Sequence, residues 1–230
     1  MKTSKLFALI IAIAAGLAVL AGSIAAPILC RPFYYVQIKA LDLEARTGYS
    51  EEVIRTAYDE VLDFCVLGAP FGTGELTWSE SGQSHFADAA RLFRLDFALG
   101  IAAGIALLIC LGLRARGLRP HRFLGRSPGF WAGSVLAIIF VVLAVLAAAD
   151  FDRAFVVFHT LFFPGKDNWI FDPAEDAIIN ILPQEFFRNC AILILAILAA
   201  GCAAFIAFGL NEQKGRERPG QTRKIFRTNV

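Results

Sequence analysis

The sequence predicts an all-α membrane protein, with four transmembrane helices and a small, mostly helical extracytoplasmic cap. Three observations predict it. Hydrophobic residues make up 57% of the chain and charged ones only 18%, giving a mean hydropathy of +0.60. The apolar residues gather in long uninterrupted runs, and Lys and Arg cluster on alternate connecting segments. A soluble domain of 230 residues has no need of so much apolar surface.

A span needs about 20 mainly apolar residues to cross roughly 30 Å of hydrocarbon. Residues 6–29, 93–113, 130–149 and 186–210 qualify. With a cap drawn from 30–92 and 150–185, they make residues 1–230 a single integral membrane domain. The first run has Lys2 and Lys5 ahead of it and the small residues Ala21, Ser23 and Ala25 near its end, as a signal peptide would. It exceeds the usual apolar region of about 7–15 residues, which predicts an uncleaved anchor. Cys30 follows in "PILC", but Leu29 stands where lipidation would want a small residue, so the protein is not expected to be lipidated itself.

Orientation follows from the basic residues beside the spans. Lys2 and Lys5 precede the first; Arg114, Arg116, Arg119, Arg122 and Arg126 separate the second from the third. Lys214, Arg216, Arg218, Arg223, Lys224 and Arg227 follow the fourth, with only Glu212 and Glu217 as acids among these segments. Both termini are therefore expected in the cytoplasm. The remaining loops, acidic on balance from Asp42, Glu44, Glu51 and Glu52 to Asp172, Glu175 and Asp176, face outward. The basic tail sets topology or touches anionic membrane lipid, and nucleic acid is not an expected partner.

Within the outer segments, "SEEVIRTAYDEVLDF" predicts an amphipathic helix. Ser50 is its N-cap, Glu51 and Glu52 occupy its first turn, and Gly68 and Pro70 stop it. "GAPFGTGELTWSESGQ" reads as irregular, with a short extended piece at residues 75–78. "DPAEDAIINIL" predicts a second helix, capped by Asp172 with Pro173 at its first position and Glu175 three residues after the cap; Pro183 ends it. "SHFADAARLFRLDF" predicts a helix running straight into the second span.

Polar chemistry gathers at the outer ends of the spans. Arg94, Asp96 and Arg188 are the charged side chains within the apolar runs, and such charges near hydrocarbon are costly. The plain reading has both arginines snorkelling to headgroups with Asp96 paired to one of them; the functional reading has them grip a polar substrate headgroup. His121 sits in the basic loop and reads as a solvated topology residue, whereas His85 and His159 fall on the outer side. Asp88 shares a helical face with His85, from where it could accept a hydrogen bond from one ring nitrogen. If the third span continues outward as a helix, Asp152, Phe155, His159 and Phe162 share one stripe. Desolvation among Phe158, Phe162 and Phe163 would then hold His159 neutral and able to act as a base. Taken singly, each histidine reads as an interface anchor, but the pair beside an acid and an aromatic lining reads as functional.

Other chemistries find little support. No H-E-x-x-H or similar spacing predicts a metal. No G-x-S-x-G elbow predicts a serine hydrolase, and no H-x4-D pattern an acyltransferase of the glycerolipid type. Cys110, Cys190 and Cys202 lie in apolar spans as small hydrophobes, and whether Cys30 and Cys65 pair is left open.

"FHTLFFPGKDNWIFDPAEDAIINILP", with "SHFADAARLF" leading into a span, resembles the bacterial lipoprotein intramolecular transacylase family, a four-span integral membrane family. The likeness covers essentially the whole chain, although "ESGQSHF" fits only loosely around the first histidine. It implies a bacterial cytoplasmic membrane enzyme that acts on a diacylated lipoprotein without a cofactor. The sn-2 acyl chain of the diacylglyceryl-cysteine moves to that cysteine's α-amino group, leaving a lyso-form lipoprotein. His85 and His159 match the family's catalytic pair. His159 is assigned as base and His85, held by Asp88, as proton donor or oxyanion partner, with the exchanged roles open. Phe158, Phe162, Asn168, Trp169 and Arg188 are expected to shape the pocket or bind substrate. The alternatives are a non-enzymatic assembly or scaffold protein and an intermolecular acyltransferase drawing on phospholipid. A transporter is disfavoured because no span is charged or broken by Gly and Pro near its middle.

Overall fold

The computed structural model describes residues 3–225, with side chains for residues 3–212. Lys2 and the tail residues Lys214, Arg216, Glu217, Arg218, Arg223, Lys224 and Arg227 lie outside the described side chains. In chain order the elements are β1 (Thr3–Ser4), α1 (Lys5–Leu29), α2 (Arg31–Ala40), α3 (Leu43–Thr47), α4 (Glu51–Leu67) and α5 (Glu80–Ala115). They continue with β2 (Arg119–Pro120), α6 (Pro128–Ala149), α7 (Phe151–Phe162), α8 (Ile178–Ile181) and α9 (Gln184–Ile225). The four apolar runs fall within α1, α5, α6 and α9, each long and apolar enough to cross a membrane.

The chain divides into two compact units, one of residues 1–22, 99–142 and 196–230, the other of residues 23–98 and 143–195. In the first, helices approach closely where side chains are small. A Cβ on Gly133 of α6 would stand 2.9 Å from the Cys202 carbonyl oxygen of α9, and one on Gly201 would stand 2.8 Å from Val19 of α1. Lipid gives helices no hydrophobic reason to associate, so such contact is how they hold together. Ile105, Leu108, Ile138 and Val141 are left exposed, as lipid-facing side chains should be. β1 pairs in parallel with β2, Thr3 opposite Arg119 and Ser4 opposite Pro120.

The second unit has an aromatic and aliphatic core. Tyr34 of α2 stacks on Tyr58 of α4 with centroids 3.7 Å apart, and Phe186 meets Tyr34 edge-on at 5.2 Å. The Tyr34 hydroxyl donates to the Ile181 carbonyl at 2.8 Å, tying α2 to α8; burial pushes its pKa well above the usual phenol range. Ile38, Ile54, Ile178 and Ile181 fill the space around the rings. On the surface, Arg31 bridges Asp59 at 3.0 Å and Asp63, joining α2 to α4.

The α4 helix forms as the sequence predicts: Ser50 Oγ accepts from the Val53 N–H at 3.4 Å, and Gly68 closes the helix at φ 74°. His85 likewise lies in a helix that continues into the second apolar run. Three expectations need correction. Residues 173–177 form turns, and only residues 178–181 are helical. The reason is long-range: the Ala177 N–H donates to the Thr77 carbonyl at 3.0 Å, and Asp176 accepts from the N–H and Oγ of Ser79, both at 2.8 Å. Residues 75–78 are correspondingly irregular, holding that contact without forming a strand. The third apolar helix stops at Ala149, where Asp150 takes an extended conformation and its side chain accepts from the Arg153 N–H at 2.9 Å, starting α7 afresh.

All five cysteines are free, Cys30 exposed and Cys65 buried. Burial pushes the Cys65 thiol up to about 12, which makes it a small packing group and a poor nucleophile.

Candidate active site

Within the second unit, α5 and α7 bring His85 and His159 together. Their ring centroids are 5.7 Å apart, inclined by 32°. His85 is 8% and His159 7% exposed, so both imidazoles have left bulk water. Each is held by aromatic rings. Phe163 and Phe171 meet His85 edge-on at 4.9 and 5.5 Å. Phe155 and Trp169 lie against His159 at 4.2 and 4.7 Å.

Helical geometry sets the tautomer of His159. One turn earlier, the Phe155 carbonyl lies 2.8 Å from His159 Nδ1. A carbonyl oxygen only accepts, so Nδ1 carries the hydrogen and Nε2 keeps the lone pair. Burial holds the His159 pKa below the ordinary imidazole value, partly opposed by that backbone hydrogen bond. The result at neutral pH is an uncharged ring with a basic nitrogen. His85 differs, because its Nδ1 is buried with no hydrogen-bond partner. Such a nitrogen is costly to leave unsatisfied.

The expected Asp88–His85 hydrogen bond does not form. Asp88 is 6% exposed, and its two oxygens instead receive Lys166 Nζ, each at 2.6 Å. Asn168 Nδ2 donates to the same carboxylate at 3.0 Å and Arg91 at 2.8 Å. The positive ammonium from the 163–169 turn is a stronger partner than a neutral imidazole. That turn is further tied by the Trp169 Nε1–H, which donates to the Lys166 carbonyl at 3.1 Å. Lys166 and Phe171 are the site residues that sequence reasoning missed. Their only local signal is their place beside Asn168 and Trp169 in "PGKDNWIF".

Of the remaining expected residues, Phe158 meets His159 edge-on at 5.4 Å, and Phe162 packs on Phe158 at 4.7 Å. Both phenylalanines keep about half their surface exposed, 47% and 48%, so they extend the aromatic wall outward from the buried pair. Arg188 is exposed on α9, where its charge acts on Glu185. Nor does Asp96 gain the arginine expected of it: Arg94 turns back to the Ala90 carbonyl at 3.1 Å. One Asp96 oxygen stays buried without a hydrogen bond.

Four apolar helices and two opposed imidazoles, buried among aromatic rings, define an integral membrane protein with a site suited to proton transfer away from water. A family model described as "Lipoprotein intramolecular transacylase Lit" matches residues 9–187. The chain belongs to that family, and membership makes it an acyltransferase of the intramolecular kind.

Solved structures agree. The membrane integral lipoprotein intramolecular transacylase Lit from Bacillus cereus superposes with a TM-score of 0.79 at 25% identity, over 93% of this chain and 96% of that one. Two variants of that protein have a histidine replaced, one by arginine and one by alanine. The arginine variant gives a TM-score of 0.75 at 22% identity, over 94% of this chain and 93% of its own. The alanine variant gives 0.73 at 22% identity, over 91% and 94% respectively. Comparison with curated protein sequences gives no match.

Proposed function

We propose that His85 and His159 are the catalytic pair of an acyl transfer within one diacylated lipoprotein. The sn-2 acyl chain on its diacylglyceryl-cysteine passes to that cysteine's own α-amino group. The observation that carries this reading is the buried imidazole pair, with one Nε2 free to accept a proton.

In the reaction the α-amine attacks the sn-2 ester carbonyl. The new N–C bond forms, the C–O bond of the ester breaks, and a lyso-glyceryl hydroxyl is released. His159 Nε2 takes the proton from the amine and, as the imidazolium, returns it to the departing oxygen. Burial lowers the His85 pKa to about 4, so that ring is neutral, and an N–H of it supports the tetrahedral oxyanion as a hydrogen-bond donor. An α-amino group has a pKa of about 8, so a neutral imidazole is a competent base. Ester-to-amide transfer runs downhill, and confinement supplies much of the acceleration: effective molarities for two groups held in register reach about 10⁵ M or more.

The exposed faces of Phe158 and Phe162 steer the acyl chain, because rigid rings lose little rotamer freedom on contact. Asp88, Asn168 and Trp169 hold the 163–169 turn against the pair and so shape the pocket, and Arg188 meets polar parts of the substrate. The chain acts as one membrane domain in the bacterial cytoplasmic membrane. Its termini are cytoplasmic and residues 30–92 and 150–185 face outward, a reading supported by the arginines between residues 114 and 126.

The test is mass spectrometry of a lipoprotein N-terminus from cells with and without this protein, fed lipoprotein carrying an isotopically labelled sn-2 chain. The reading expects an N-acylated lyso-form that retains the label only when the protein is present. An N-acyl chain without the label would mean that phospholipid is the donor, and unchanged lipoprotein would mean a non-enzymatic role.

A further inference from the structure

The first unit contains a cavity of about 790 Å³ bordered by α1, α5, α6, α9 and the segment after α5. We propose that it binds an anionic phospholipid, a role independent of the histidine site.

Its lining changes character along two helices. On α5 it passes from Leu107 and Leu111 to Arg114, and on α9 from Phe205 and Phe208 to Glu212. The charged ends meet, since Glu212 lies 3.9 Å from Arg114 and 2.5 Å from Arg122. The apolar stretches of both helices therefore extend away from one polar end, over about 10 Å at 1.5 Å per residue. Leu111 and Phe208 are 59% and 62% exposed, so the apolar part opens toward lipid rather than closing on itself.

The polar end carries excess positive charge. Among the described lining residues, Arg114, Arg119 and Arg122 face a single carboxylate, that of Glu212. Arg114 and Arg122 are held by their side chains through Glu212, and Arg119 is held by its backbone, its side chain left open to solvent. The parallel pairing of Thr3 with Arg119 fixes the segment, as does the His121 N–H, which donates to the Ser4 carbonyl at 3.0 Å. Arg122 keeps only 22% of its side chain exposed.

A guanidinium presents a planar fork that matches two phosphate oxygens. Acyl chains fit the adjoining aromatic and leucine wall, and cavities of roughly 300–1,000 Å³ suit a lipid headgroup with the first part of its chains. Two unmatched positive charges favour a phospholipid with net negative charge over a zwitterionic one that also carries a phosphate.

The experiment is native mass spectrometry of the purified full chain in detergent. It is titrated with phosphatidylglycerol, with phosphatidylcholine of the same chains, and with phosphatidylglycerol in the presence of inorganic phosphate. One phosphatidylglycerol should bind per protein, at least roughly tenfold more tightly than phosphatidylcholine, and inorganic phosphate should not displace it. R119Q, whose side chain is exposed and forms no ion pair among the described residues, should keep the helical circular dichroism spectrum and lose roughly tenfold in affinity. E212Q, which frees Arg122, should bind more tightly. Equal binding of the two lipids would overturn the proposal, as would undiminished binding by a folded R119Q or displacement by inorganic phosphate.

Discussion

Both carboxylate oxygens of Asp88 lie 2.6 Å from Lys166 Nζ, so the acid nearest His85 in sequence serves the turn opposite it. The consequence reaches the other histidine. The Lys166 carbonyl accepts from the Trp169 Nε1–H, and the Trp169 ring lies 4.7 Å from that of His159. Asp88 therefore holds the aromatic wall of one imidazole while sharing a helix with the other.

Lys166→Gln tests this linkage. It leaves Asp88 buried with weaker partners, and because Lys166 is partly exposed the loss is moderated by solvent. The expected cost is about 1–3 kcal/mol of stability, with a further fall in turnover as Trp169 loosens. Thermal unfolding and initial rates measure both, and an unchanged melting temperature would show that the pair contributes nothing.

The pH dependence follows from His159. Burial keeps its pKa below the ordinary value, about 6.5 for a free imidazole. The base is thus unprotonated at pH 7 and above, and kcat/KM should lose its histidine limb only on the acid side of that value. Stability follows the same sign. The ring's contribution is full above about pH 6.5, where the unfolded chain is also neutral, and is lost as pH falls through the lower folded value. The substrate's α-amine adds its own limb at about pH 8, so the ring is identified by NMR titration, and a His159 ring titrating on the alkaline side of 7 would contradict a desolvated base.

Asp176→Ala removes the acceptor of two hydrogen bonds from Ser79, whose Oγ in turn accepts from the Gly82 N–H at 3.0 Å. The start of α5, which carries His85, should fray. A loss of about 1–3 kcal/mol is expected, read by thermal denaturation, with faster amide exchange at Gly82 and Gln83. Unaltered exchange there would show that Asp176 does not secure the helix.

The four apolar helices were legible because run length alone specifies a span, and α4 because its caps and its apolar face agree. The aromatic surroundings of His159 were legible in part too, as the Phe155 ring that packs on it lies one helical turn away. What failed was long-range. Asp172 and Pro173 carry a helix-start signature, but the bonds that decide residues 172–177 run to Thr77 and Ser79. Lys166 looks like a solvated turn residue, and nothing in its neighbourhood points to a carboxylate on α5. Helical spacing placed Asp88 beside His85 correctly; it carried no information about which stronger partner would take the carboxylate.

The most direct test of the central claim is the initial rate of N-acyl lipopeptide formation. It is followed by mass spectrometry with purified wild-type protein, His85→Ala and His159→Ala, each first verified as folded. The account predicts that either substitution lowers the rate by roughly 10²–10⁴-fold, the range expected for a positioned acid or base. A folded His159→Ala protein that works at the wild-type rate would contradict it.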